Sequence, residues 1–404
     1  MLSRRTLLGG VAVAASPLAI PRIARGAMPA GVTDTEIKFG NTYAYSGPAS
    51  AYSVIARTEA AYFQKINEEG GIGGRKLKFV SYDDSYSPPK TVEQTRRLVE
   101  QDRVAFLFNP LGTACNTAIW KYCNQKKLPQ LFVGSGADKW GDYAEHPWTI
   151  GWGPSYRTEA QIYARYILRE RPGGKIGLLY QNDDFGKDYY AGLKDVLGDQ
   201  FDRVVTSVTY EITDPTIDSQ IVALKGAGCD VFVSATTPKF AAMTIRKVSD
   251  VAWKPLYINS AVSTSVGSVI RPAGPERAVG IVSAAYLKDP TDPGWSDDPG
   301  MRDWRAFVTK YLPGADTTDF GYVSGYSYAS TMVHVLRACG DDLSRENIMR
   351  QATGMRELAL PTLLPGVTLN SSPTDYRPIE KLNLIRWNGG MWERFGDLID
   401  RTGT

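Results

Sequence analysis

Two doubly wound α/β lobes are the architecture this sequence predicts, and three observations predict it. Short apolar runs alternate with helical-period stretches about four times in each half, as in right-handed βαβ units on parallel sheets. Several runs, "VAFLFNP" (104–110) above all, have no polar face, as strands covered by helices on both sides require. The series restarts after residue 153, which suggests a second, similar lobe.

In the first series, "EIKFGN" (36–41) reads as a strand. The stretch 51–71 puts Val54, Ala61, Tyr62 and Ile66 on roughly one helical face and stops at Gly70-Gly71. "RKLKFVSYDD" (75–84) alternates as a strand, and 88–102 is a helix opened by prolines suited to its first turn. Strand 104–110, helix 115–127 and strand 128–137 complete the set. The second series runs from the helix over 160–174 through strand 175–181 and helix 184–197. Strand 203–212, helix 218–229, strand 230–237, helix 238–253 and strand 254–261 follow. Beyond it, 288–300 is a Pro/Asp/Gly loop, 301–312 and 320–340 are helices, and the tail forms a strand pair turning at Asn388-Gly389-Gly390. Helices that follow a complete second lobe return to the first, so several crossings are expected. The first lobe is placed at 34–153 plus 284–360 and the second at 154–283 plus 361–404.

Residues 1–27 read as an export signal: Arg4 and Arg5, a short apolar run from Leu7 to Ile20, then small residues where cleavage is expected. Ser3-Arg4-Arg5-Thr6-Leu7-Leu8 resembles a twin-arginine signal, which implies periplasmic export. The full chain has 404 residues and formal charge +3; loss of the four arginines before residue 27 leaves 42 basic against 43 acidic residues. Near neutrality argues against nucleic acid or an anionic membrane surface as partner. No later run approaches the roughly 20 apolar residues that span a bilayer.

Catalytic chemistry finds few players. With His146 and His334 alone, a His-dependent triad or multi-histidine metal site is nearly excluded. The four cysteines have no CxxC spacing and read as buried thiols. There is no nucleophile elbow and no phosphate loop, and Gly70 to Gly74 follows a helix rather than a strand. No metal or cofactor is called for. Asp83-Asp84 and Asp183-Asp184 end strands, where carboxylates either do acid–base work or cap the next helix; capping is favoured.

The turns at strand C-termini lie along one sheet edge, where open parallel sheets bind ligands. They comprise Tyr43 to Tyr52, Pro110 to Thr113, Gly134 to Ala137, Asn182 to Phe185, Thr236-Thr237 and Ser260-Ala261. They supply hydroxyls, amides and aromatic rings with hardly a base, which suits a binding crevice.

The runs "IKFGNTYAYSGPASAY", "INEEGGIGGRKLKFVSYDDSYSPPKTVEQTRRLV", "NDDFGKDY" and "GYSYASTMVHVL" stand in the order found in the solute-binding proteins of ABC transporters of the Leu/Ile/Val-binding type, and nearly the whole mature chain resembles that family. The resemblance implies a type I periplasmic binding fold, three segments crossing between lobes, ligand trapped by hinge closure, and permease subunits as partners. It further implies that Thr113-Ala114 and Ser135, Gly136 and Ala137 hold a ligand carboxylate through hydroxyl and amides. Tyr52 matches the family's aromatic wall, and Phe185 stands where a tyrosine is usual. The family's ammonium-gripping acid falls at Ala261, and the tyrosine expected near Thr236 is absent. With Tyr43, Tyr45, Tyr52, Tyr156 and Phe185 nearby, these departures favour an aromatic or hydrophobic carboxylate over a branched-chain amino acid. An amino-acid binder and a ligand-sensing regulator on the same fold are the alternatives.

Overall fold

A computed structural model describes residues 28–401. The export-signal reading of 1–27 lies outside them.

Two sheets organise the chain. The first holds β1 (Glu36–Tyr43), β2 (Lys76–Asp83), β3 (Leu107–Phe108) and β4 (Gln130–Leu131) in the order β2-β1-β3-β4, all parallel. The second holds β5 (Ile176–Gln181), β6 (Val205–Tyr210), β7 (Val231–Ala235), β8 (Leu256–Asn259), β9 (Val282–Ala285), β10 (Leu382–Trp387) and β11 (Trp392–Ile399) in the order β11-β10-β9-β8-β7-β5-β6. Strand β10 breaks the parallel run, pairing antiparallel with β9 and β11. The order reverses beside β1 and β3 in one sheet and beside β5 and β7 in the other, the switch points at which such sheets open a crevice.

Helices cover both faces, as strands without a polar side require. The first lobe carries α1 (Ser53–Glu68), α2 (Pro88–Arg96) and α3 (Thr113–Gln125); α4 (Tyr156–Glu170) and α5 (Asp184–Leu197) open the second. One face of the first sheet packs Phe39, Phe63, Phe106 and Phe108 into a core shared with the helix Gly321–Ala338. The other buries Leu98, Leu107, Ile119 and Cys123. The second sheet has a core on each face, around Tyr163, Leu178 and Val233 and around Leu179, Phe232 and Ile245.

Three details depart from the sequence reading. The expected strands over 104–110 and 128–137 pair over two residues each, because Asn109 (φ 48°) and Phe132 (φ 54°) turn into the left-handed region and end the ladder. Strand β9 and the helix Arg345–Ala352 were not anticipated. The third crossing is shifted too: Leu363, Leu364, Val367, Leu369, Tyr376 and Ile379 pack into the first-lobe core, so the chain re-enters the second lobe between Ile379 and Leu382 rather than at 361.

Candidate functional site

The cleft between the sheets' C-terminal edges holds a cavity of about 110 Å³, lined from both lobes and from the crossing segments. On the first-lobe side, β3 ends in the turn to α3. Gly112 has φ 93°, and a Cβ there would lie 2.4 Å from the Tyr86 ring, so the turn admits only glycine and Tyr86 packs directly on its backbone. Gly136 is equally confined, a Cβ meeting Pro154 O at 2.5 Å and the Tyr156 ring at 2.8 Å.

Thr113 and Ser135 face each other with their hydroxyl oxygens 2.7 Å apart. Ser135 Oγ already accepts the Trp140 indole N–H (2.9 Å) and the Ala137 amide (3.2 Å). A hydroxyl has two acceptor lone pairs and one proton. With both lone pairs engaged, Ser135 has one proton to share between the Thr113 and Tyr156 hydroxyls, and the three hydroxyls form one cluster on the cavity. The Thr113 amide, first in α3, has no partner within the helix and adds a donor, while the Gly136 N–H bonds the Tyr156 hydroxyl. The arrangement fits an anion without any basic residue.

The second-lobe side is aromatic and acidic. Tyr156 and Phe185 pack edge to face with centroids 4.7 Å apart. Thr237, Pro238, Ala261 and Val262 continue the wall. Glu159, a turn after Tyr156 on α4, is buried; its Oε1 accepts Tyr189 Oη (2.6 Å) and the Ala261 amide (2.8 Å). Burial raises its pKa, and these donors, with Tyr163 beside them, pull it back. Tyr286 and Tyr328, beside buried Trp152, close the floor, and Asp319, on the first-lobe side, precedes the helix Gly321–Ala338.

Contacts span the cleft on both rims. Tyr52 Oη donates to Val262 O (3.2 Å), Ser265 Oγ to Asp319 Oδ1 (3.1 Å) and Arg271 to Asp316 (2.7 Å). On the other rim, Lys139 pairs with Asp184 (2.6 Å), and the Asp138 amide donates to Asp188 (2.7 Å).

Of the residues singled out from sequence, Tyr52, Thr113, Ser135, Gly136, Tyr156, Phe185 and Ala261 are brought together on the cavity. Four are not. Tyr45 is tied to Ser81 (2.6 Å) and lies under the Arg57 guanidinium. Ala114 sits behind the lining on α3. The Ala137 amide is spent on Ser135. Thr236 is fully buried against Ser234, 2.8 Å away, and its neighbour Thr237 faces the cavity instead. The strand-end acids hold loops and helix starts. Asp83 accepts Ser46, Asp84 accepts Thr91 and the Tyr86 amide, and Asp183 caps α5 while burial pushes its pKa to about 6. The cysteines are buried and unpaired. Tyr86, Glu159, Tyr286, Asp319 and Tyr328 were missed; Glu159 left a signal, a charge on the same helical stripe as Tyr156 and Tyr163.

The family model described as "Periplasmic binding protein" matches residues 36–391. The chain belongs to the periplasmic binding protein family. This periplasmic binding protein is 23% identical over 333 residues to the Leu/Ile/Val-binding protein homolog 7 of Brucella abortus, an alignment covering 79% of this chain and 80% of that one. A branched chain amino acid ABC transporter from Thermus thermophilus with bound valine superposes with TM-score 0.80 at 17% identity, covering 91% of this chain and 97% of the other. A solute binding protein from R. palustris in complex with benzoate gives 0.74 at 18%, covering 89% and 96%. The fold is therefore that of a type I periplasmic binding protein of the branched-chain amino acid type. Among the described residues no helix is long and apolar enough to cross a membrane.

Proposed function

We propose that this periplasmic binding protein is the extracytoplasmic solute-binding component of an ABC importer. It traps a small carboxylate with a hydrophobic or aromatic body between its lobes by hinge closure, and it delivers that ligand to permease subunits unconverted. The observation that carries the reading is the cluster of Thr113, Ser135 and Tyr156 hydroxyls at the start of α3, on a cavity walled by Tyr52, Tyr156 and Phe185 and lined, among the described residues, by no Lys, Arg or His. Contacts such as Tyr52 to Val262 form only when the lobes meet, which ties ligand enclosure to closure. Valine and benzoate, named for the two solved relatives, are both small carboxylates with apolar bodies.

A thermal-shift screen of the mature chain with leucine, phenylacetate, benzoate and 4-hydroxybenzoate tests this. A ligand at about 100 times its Kd stabilises the folded state by about 2.7 kcal/mol, a shift of several degrees. At least one is expected to give such a shift and be recovered unchanged. No shift from any, or turnover of a bound ligand, contradicts the proposal.

A further inference from the structure

Between β2 and α2 the backbone takes two consecutive left-handed residues that are not glycine, Ser85 (φ 53°) and Tyr86 (φ 58°). Such residues cost free energy and persist only where their surroundings over-determine them. Two acids do so here. Asp83 Oδ1 accepts the Ser85 amide (3.0 Å), Asp84 Oδ1 accepts the Tyr86 amide (2.9 Å), and Asp84 Oδ2 accepts the Thr91 hydroxyl (2.8 Å). What the strained turn achieves is the placing of one side chain. Tyr86 is buried, lines the cavity and packs its ring on Gly112, the residue before α3.

The Tyr86 hydroxyl reaches beyond the first lobe. It bonds the side chain of Gln181, the last residue of β5 in the second lobe, which is itself buried. Gln181 continues the chain on its own side. Its Nε2 donates to Asp183 Oδ2 (2.7 Å), and its Oε1 accepts the Tyr210 hydroxyl (3.1 Å). Tyr210 Oη in turn accepts the amide of Thr237, a residue of the cavity wall (3.1 Å). A carboxamide has two protons and two lone pairs, so Gln181 can serve Tyr86, Asp183 and Tyr210 together. One run of hydrogen bonds thus joins the turn that opens α3 to the second-lobe wall. Loss of the Tyr86 hydroxyl leaves Gln181 short of a partner in a buried place, which is costly.

We propose that Tyr86 is a positioning residue for ligand capture: its ring sets the Gly112–Thr113 turn, and its hydroxyl ties that turn to Gln181 as the lobes close. This rests on the hinge-closure reading above. In the closed form both ends of the Tyr86 side chain are engaged. Opening the cleft parts Gln181 from the Tyr86 hydroxyl, while the clamp by Asp83 and Asp84, internal to the first lobe, stays. The hydroxyl therefore stabilises the closed form alone, and its contribution is read as slower ligand release.

Calorimetry and stopped-flow release on the mature chain with leucine, phenylacetate, benzoate and 4-hydroxybenzoate test it. Tyr86→Phe keeps the ring on Gly112 and removes the hydroxyl. It is expected to weaken the tightest of the four by about 3- to 30-fold, mainly through faster release, with the urea midpoint of the free protein nearly unchanged. In a Gln181→Leu background the same change is expected to cost less than about 2-fold. Tyr86→Leu, which removes the ring as well, is expected to weaken binding more than Tyr86→Phe does. Should Tyr86→Leu fail to fold, Tyr86→Phe and the double variant still decide. Wild-type affinity and release in Tyr86→Phe, or a loss undiminished in the Gln181→Leu background, overturns the positioning role and leaves the solute-binding reading standing. No binding of any of the four by the wild type overturns both.

Discussion

The two walls of the cleft differ in what they offer a ligand. The first-lobe wall offers the hydroxyls of Thr113 and Ser135 and the start of α3, and its acid, Asp319, is engaged by Ser265 and the Gly321 amide. The second-lobe wall is aromatic and holds a buried acid, Glu159, that only accepts. Residues of both walls line one cavity, and the contacts across the rims hold the walls face to face.

The largest expected effect comes from breaking the donor wall. In Gly136→Ala the new Cβ meets Pro154 O at 2.5 Å, a backbone atom that cannot swing aside. We expect a loss of about 1–3 kcal/mol in urea unfolding, with calorimetric ligand binding abolished. Thr113→Val keeps shape and removes the hydroxyl that pairs with Ser135 at the cavity. Its expected signature is an affinity loss of about 10- to 100-fold, with the unfolding midpoint of the free protein nearly unchanged.

How much of this division was legible in the sequence follows from where each group sits. The sheets were legible because strands such as 104–110 have no polar face, and the donor wall because Thr113 and Ser135 follow strands, where turns are exposed to reading. Glu159 was not, because it lies inside a helix whose "TEAQIYARYI" pattern resembles an ordinary amphipathic face; only the three-dimensional approach of Ala261 turns that charge inward. Tyr45 misled because β1 ends at Tyr43, so the alternation that orients one tyrosine stops before the other. Tyr86 is aimed by its own left-handed backbone, φ 58°, which no composition rule reveals.

A second comparison, between two buried glutamates, isolates what the cleft adds. Glu59 on α1 is 0% exposed, accepts a hydrogen bond from Asn41 (3.4 Å) and leaves Oε1 without a partner. It lies in a core rather than on the cavity. Burial raises its pKa well above the ordinary 4.5. The folded state therefore binds this proton more tightly than the unfolded one. The associated stability is fully present below about pH 4.5 and is lost as pH rises through the folded value. Glu59→Gln removes that loss. Thermal melts are expected to show the variant gaining on wild type as pH rises from 4 to 8, with ligand affinity unaffected. Glu159→Gln shares the direction in stability but not the indifference to ligand.

The smallest effect is expected at the bridge. Tyr52→Phe removes one 3.2 Å hydrogen bond to Val262 O and keeps the ring. Calorimetry should show an affinity loss of about 3- to 10-fold, read mainly as faster release.

The most direct measurement is a crystal structure of the mature chain with the ligand that shifts its melting most. We predict the ligand carboxylate about 3 Å from Thr113 Oγ1, its body against Tyr52, Tyr156 and Phe185, and the Tyr52–Val262 bridge in place. A ligand held by one lobe alone, or lying with its carboxylate against Glu159, would contradict a small carboxylate enclosed between the lobes at Thr113.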